Sequence, residues 1–159
     1  MPAIRNVTAN DGAIMRKLAH ECGTLDLHTP YTYWVNACYQ SESCFVAEED
    51  GKPIGYIMAV DAPDVVFIWQ IGIVPEWRGK GLADRLITKC VDYATKKNKN
   101  IEVTIAADNR ASYRAFKKAC DKRNIAMQHI GSVDIADMID PAFTEKENRY
   151  MLQIKSEPD

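Results

Sequence analysis

The chain has 159 residues, of which 47% are hydrophobic and 26% charged, and its formal net charge is −2. That length and balance argue for one domain, residues 1–159, around one core and against a disordered chain. The charge offers no basic face for nucleic acid, and no apolar run reaches the ~18 residues of a membrane span.

Ala3 to Val7 reads as a short strand. Asn10 or Asp11 can cap a helix that carries Ile14 and Leu18 at helical spacing and ends at Gly23. Thr24 to Pro30 is a polar loop, and Tyr31 to Gln40 a second helix. Ser43 to Glu48 and Pro53 to Val60 are strands joined by the hairpin turn Asp50-Gly51. Val65 to Val74 is a third apolar β-type run, ending at Pro75. Leu82, Leu86, Ile87 and Cys90 set a helix from Gly81 to about Lys97, with Lys96, Lys97 and Lys99 as a solvated end. Ile101 to Ala106 is a strand, and Asp108 or Asn109 caps a helix to about Arg123. Ile125 to Ile130 and Arg149 to Ile154 are the last strands, separated over Ser132 to Lys146 by a loop with room for one helical turn. The order β-α-α-β-β-β-α-β-α-β-β implies an α/β fold with a mixed sheet. It lacks the regular alternation and the GxGxxG spacing of a dinucleotide-binding domain.

Cysteines fall at 22, 38, 44, 90 and 120, with no CxxC pair. Their odd number, with no targeting segment in MPAIRNVTAN, implies free thiols in a reducing, cytoplasmic setting, each acting as a small buried hydrophobe. His20, His28 and His129 have no zinc spacing, so no metal is expected.

The chemistry concentrates at Arg78-Gly79-Lys80-Gly81-Leu82-Ala83, between the strand WQIGIV and a long helix. The first turn of a helix has amides without intrahelical partners and a partial positive charge, which together suit a phosphate-type anion. Gly79 and Gly81 remove the Cβ atoms that would keep the anion off the backbone, and Arg78 and Lys80 add positive charge. A plain glycine-rich turn would look the same locally. A P-loop would require GxxxxGK[ST], which is absent.

Arg78-x-x-Gly81-x-Ala83 resembles the [QR]-x-x-G-x-[GA] signature of the GNAT acetyltransferases, and DNRASYRAFKK resembles that family's second motif. The resemblance covers residues 3 to 154. It implies the GNAT fold, a mostly antiparallel sheet with helices on both faces, splayed where acetyl-CoA binds. It further implies that the backbone of 79 to 84, Asp84 included, holds the pyrophosphate. The main chain at Ile71 and Ile73 would pair with the pantetheine arm, and Asn109 would lie beside it. A homodimer is a tendency of the same family. Many members carry a tyrosine as general acid seven residues after the Asn, where this chain has Phe116, which has no proton to give. Tyr113, one turn earlier, reads as a packing or surface residue.

A narrower resemblance links CGTLDLHTPYTYWVNACYQSESCFVAEEDGKPIGYI to the N-terminal half of the L-2,4-diaminobutyrate acetyltransferases of ectoine synthesis. It rests on residues 23–27, Pro30-Tyr31, residues 44–51 and Ile68-Trp69-Gln70. The segment after Val60 is shorter and 132–146 matches poorly. The implied acceptor is a small diamine with a carboxylate, and its distal amine has a lysine-like pKa near ~10.4, so the site must bind an ammonium and then strip a proton. Asp26 and Trp69 suit the cation, Thr24 belongs to the same loop, and Tyr31 could relay the proton. Glu147, shortly before the last strand, is placed by the resemblance as another acceptor contact. Each residue also has a plainer reading: Asp26 as a loop cap, Tyr31 and Trp69 as packing, Glu147 as a solvated charge, His28 as an exposed loop residue. Acetylation of another small amine or polyamine, or coenzyme A binding without turnover, are the competing functions.

Overall fold

The computed structural model describes residues 1–133 and 147–156. The elements run β1 (Ala3–Asn6), α1 (Gly12–Cys22), α2 (Pro30–Tyr39), β2 (Phe45–Glu49), β3 (Lys52–Asp61), β4 (Val65–Ile73), α3 (Leu82–Lys97), β5 (Asn100–Ala106), α4 (Arg110–Lys122), β6 (Met127–Ser132) and β7 (Glu147–Leu152). This is the order expected from the sequence. The last two strands sit about two residues away from their expected positions, so Glu147 opens β7 rather than preceding it. The loop and helical turn expected over 132–146 lie outside the described residues from position 134 onward.

The strands form one sheet in the order β1-β2-β3-β4-β5-β7-β6. Every neighbouring pair is antiparallel except β4 and β5. Adjacent residues of a strand face opposite sides, which fixes where the helices lie. A Cβ on Gly72 would strike Cys22 of α1, whereas one on Gly55, which pairs with the next residue Ile73, would meet Leu82 of α3. The α1/α2 layer and the α3 layer therefore cover opposite faces.

Each helix follows from its sequence. In α3 the buried residues Leu82, Leu86, Ile87, Cys90, Val91 and Ala94 make one apolar stripe. In α2 Thr29 accepts a hydrogen bond from the Thr32 amide and Pro30 opens the helix, a cap worth about 1 kcal/mol. Asp11 begins α1 but does not cap it with its side chain. Its carboxylate accepts instead from the Thr8 amide and the Arg5 guanidinium, which holds it below the usual carboxylate range. Lys99 is not a solvated helix end, because its ammonium pairs with Asp61 and donates to the Ala62 carbonyl.

Candidate active site

The sheet opens at one place. The parallel ladder of β4 and β5 runs only from Val65↔Asn100 to Ile68↔Val103. Beyond it, nothing among the described residues pairs with the β5-facing edge of β4. A bulge explains the parting: Met58 pairs with Gln70 and Ala59 with Ile68, leaving Trp69 as the extra residue. A bulge bends its strand and increases its twist, which turns the end of β4 away from β5. The Val74 amide donates to Ile54 on β3, so by alternation the amides of Ile71 and Ile73 point into the gap. The two residues expected to offer main-chain groups thus lie on this edge, the Ile73 amide with the Cys22 thiol beside it.

Residues 79 to 84 follow that edge. Gly81 is the N-cap of α3 with φ 81°, Gly79 has φ 73°, and a Cβ at either would meet nothing within 4 Å. The Arg85 amide is the first to close the helix, on the Gly81 carbonyl. Among the described residues, the amides from 79 to 84 have no protein acceptor. Such a cradle of unpaired donors at a helix start fits a pyrophosphate. The side chains are engaged elsewhere. Arg78 donates to the Cys22 carbonyl at 2.6 Å, at the C-terminus of α1. The Lys80 ammonium lies 4.8 Å above the Trp77 ring. Asp84 is bound by Arg123 at 2.9 Å and Lys122 at 3.3 Å, and Arg123 in particular holds its carboxyl below the ordinary range. Leu82 is buried under β3, so it and Ala83 have only backbone to offer. Asn109 caps α4 by accepting from the Ser112 amide at 3.2 Å, and among the described residues its NH₂ has no acceptor.

The loop after α1 lies against β4. Leu25 packs on Gly72, and the Asp26 carbonyl accepts from Gln70. Thr24 and the Asp26 side chain are exposed, and Trp69 is 41% exposed. His28 is not the exposed residue expected. It is half-buried, its ring 5.4 Å from Trp69 and 6.2 Å from Tyr33, because the loop folds back over the bulge. The structure therefore brings Asp26, His28 and Trp69 into one neighbourhood beside the gap. Tyr31 stands apart from it at the start of α2, 70% exposed with its ring against Trp34. Glu147 pairs with Ala106 at the end of β5, the end of the sheet where the gap opens.

Phe116 is buried in the core, which fits its lack of any acid role. Tyr113 is partly exposed and packs on Tyr150, over a groove of about 420 Å³ shared with Arg110 and Asn148. Burial pushes up the thiols of Cys22, Cys44 and Cys120, leaving poor nucleophiles. All five cysteines are unpaired. Among the described residues no group of His, Cys, Asp and Glu converges as a metal site, and no helix is long and apolar enough to cross a membrane.

Sequence reasoning missed a buried polar cluster. Gln70 is 7% exposed, and its side-chain oxygen accepts from the hydroxyls of Tyr33 and Tyr56, both fully buried. Burial raises the Tyr56 hydroxyl far above its ordinary range, so it stays a neutral donor. The only hint in the sequence is a glutamine in the middle of an apolar strand.

Comparison with known proteins agrees with this geometry. The model of the acetyltransferase (GNAT) family matches residues 13–121. The L-2,4-diaminobutyric acid acetyltransferase of Halalkalibacterium halodurans is 37% identical over 121 residues, 74% of this chain and 64% of that protein. The enzyme of the same name from Marinococcus halophilus is 38% identical over 120 residues, 73% of this chain and 69% of that protein. The chain thus spans about two thirds of the length of these curated relatives. Among solved structures, diaminobutyrate acetyltransferase from Paenibacillus lautus, in complex with its substrate L-2,4-diaminobutyric acid and coenzyme A, superimposes with a TM-score of 0.83 at 26% identity, covering 100% of this chain and 98% of that one. With a family match over more than half its length, on a splayed sheet and an open amide cradle, this chain belongs to the acetyltransferase (GNAT) family.

Proposed function

We propose that the protein transfers the acetyl group of acetyl-CoA to the distal amine of L-2,4-diaminobutyrate, a step of ectoine synthesis. The observation that carries this reading is the bulge at Trp69, which sets an exposed indole beside the loop of Asp26 at the mouth of the β4–β5 gap. An aromatic face and a loop carboxylate suit a short cationic amino acid. The likeness to relatives named for this reaction supports the same acceptor.

In this reading the amides of 79 to 84 hold the pyrophosphate, the main chain at Ile71 and Ile73 aligns the pantetheine arm, and the Asn109 NH₂ lies beside it. The thioester then sits in the gap. Asp26 and Trp69 hold the diamine, with Thr24 in the same loop and Glu147 as a second carboxylate at that end of the sheet. The distal ammonium first loses a proton, which costs about 4–5 kcal/mol at pH 7 for a lysine-like amine. Water at the mouth of the site takes that proton, and Tyr31, exposed at the start of α2, passes it on to bulk solvent. The neutral nitrogen attacks the thioester carbon, the C–S bond breaks, and the nitrogen gives up its second proton. The thiolate takes a proton from water, which a leaving group of pKa about 8.5 tolerates, so Phe116 is no obstacle. The net reaction releases one proton. Holding both reactants in place accounts for most of the acceleration, because it turns a bimolecular encounter into a positioned attack.

The whole chain acts here as one catalytic domain. Five unpaired cysteines favour a cytoplasmic enzyme. The family tendency favours a homodimer; static light scattering should then read about twice the 17.9 kDa of one chain, and the mass of one chain would contradict it. The reading itself is tested by a panel of amines, with coenzyme A release followed for each. L-2,4-diaminobutyrate should give the highest kcat/KM. A polyamine or another diamino acid turning over better would replace it, and no release with any amine would favour a coenzyme A-binding module.

A further inference from the structure

The loop that carries the acceptor residues is tied down by side chains from elsewhere, at the last carbonyl of α1 where the loop begins and at two of its own carbonyls. Arg78 donates to Cys22, Gln70 to Asp26 at 2.8 Å, and Arg16 to His28 at 3.1 Å. The middle tether differs from the other two because its donor is buried. A primary amide can be turned either way round, and only one orientation offers NH₂ to the loop. Two tyrosine hydroxyls settle it. Tyr33 from α2 and Tyr56 from β3 both donate to the Gln70 oxygen, so its nitrogen must face Asp26. A hydroxyl can also accept, and the two tyrosine hydroxyls lie close to each other, but the Asp26 carbonyl can only accept, so reversal would set the Gln70 oxygen against it and take from both hydroxyls the acceptor they share. Gly72 completes the arrangement. A Cβ there would come within 2.8 Å of both Leu25 and Tyr56 and within 2.9 Å of the Cys22 sulfur, so the loop can lie on the strand only because that residue is bare.

We propose that Gln70, oriented by Tyr33 and Tyr56, is the positioning residue that fixes the Asp26 loop for the acceptor amine. Gln70 touches neither substrate; it acts by holding the Asp26 backbone, and with it the direction of the carboxylate. This rests on the reading of Asp26 as an acceptor contact. The bulge makes the device possible. Gln70 and the exposed Trp69 are successive residues, so one irregular step of β4 supplies both the indole of the site and the anchor of the loop opposite it.

The test separates positioning from general stability. Gln70→Met leaves two buried hydroxyls without an acceptor and should lower Tm. The triple variant Gln70→Met/Tyr33→Phe/Tyr56→Phe removes those hydroxyls as well. Replacing all partners by apolar groups of the same shape is close to neutral for folding, so it should regain most of the Tm. Neither variant can hold Asp26. In both, KM for L-2,4-diaminobutyrate should rise about ten-fold, the scale of one fixed polar contact, while KM for acetyl-CoA stays within about two-fold. Amide exchange at residues 24 to 28 should accelerate in both. If KM for the diamine recovers together with Tm in the triple variant, or never rises, the cluster is structural and the proposal fails. Should the wild-type protein not use this diamine, the fault lies with the functional reading. The exchange measurement then decides the tether alone, and unchanged exchange at 24 to 28 overturns it.

Discussion

The two halves of the cleft are built from different materials. On the proposed cofactor side, residues 79 to 84 present backbone: among the described residues their amides have no acceptor, and the space around Gly79 and Gly81 is open. The charged side chains of this stretch and of Arg78 before it are turned to other partners, Arg78 to Cys22, Lys80 to Trp77 and Asp84 to Arg123. On the proposed acceptor side the backbone is the part being held, and the exposed side chains of Asp26 and Trp69 stand on a tethered loop and a bulged strand. A main-chain cradle can recognise a group common to many enzymes with almost any side chains nearby. A site for one particular amine depends on which side chains are there and on how firmly they are aimed.

Substitutions should therefore separate the halves. The largest effect is expected from Gly81→Glu, which puts a bulky anion at the cradle in a backbone conformation that favours glycine. Acetyl-CoA affinity measured by calorimetry should fall by about 10² or more. Unchanged affinity in a folded variant would break the assignment of the cradle. Asp26→Asn keeps shape and removes charge; it should raise KM for the diamine about ten-fold and leave acetyl-CoA binding alone. Tyr31→Phe should instead lower kcat with little change in KM, and an unaltered kcat would remove Tyr31 from the proton path. A subtler effect concerns Asp84, whose carboxylate sits in the first turn of α3 and is neutralised by Arg123 and Lys122. Arg123→Gln should weaken acetyl-CoA binding a few-fold by exposing that charge to the pyrophosphate, and adding Asp84→Asn should restore it. Failure of the second change to restore binding would mean that Arg123 acts through packing. The smallest effect is expected from Tyr113→Phe, which should retain nearly all turnover because that ring packs on Tyr150. A loss of about 10² would make it an acid after all.

The same contrast explains what could be read in the sequence. The cradle is contiguous, so a strand, RGKGLA and a periodic helix stand next to each other in the chain and the chemistry follows from helix-end physics. The order of elements was legible for a similar reason, since each is set by its own periodicity and breakers. The Trp69 bulge was not, because a bulge is a mismatch between two strands and neither alone records it. Nor was the role of Gln70, whose partners lie 14, 37 and 44 residues away. Arg78 shows the limit of local reading: beside two glycines it looks like a phosphate ligand, whereas its guanidinium is donated to a carbonyl 56 residues earlier. His28 reads from the sequence as exposed, whereas the loop folds its ring against Trp69.

The most direct test of the account is the position of the acetyl group on the product. The enzyme is incubated with acetyl-CoA and L-2,4-diaminobutyrate, and the product is examined by NMR. If Asp26, Trp69 and Glu147 hold the amino acid with only its far nitrogen in reach of the thioester, the acetyl group is found on the distal nitrogen alone. Acetyl on the α-nitrogen, or no product from this diamine while another amine turns over well, would contradict it.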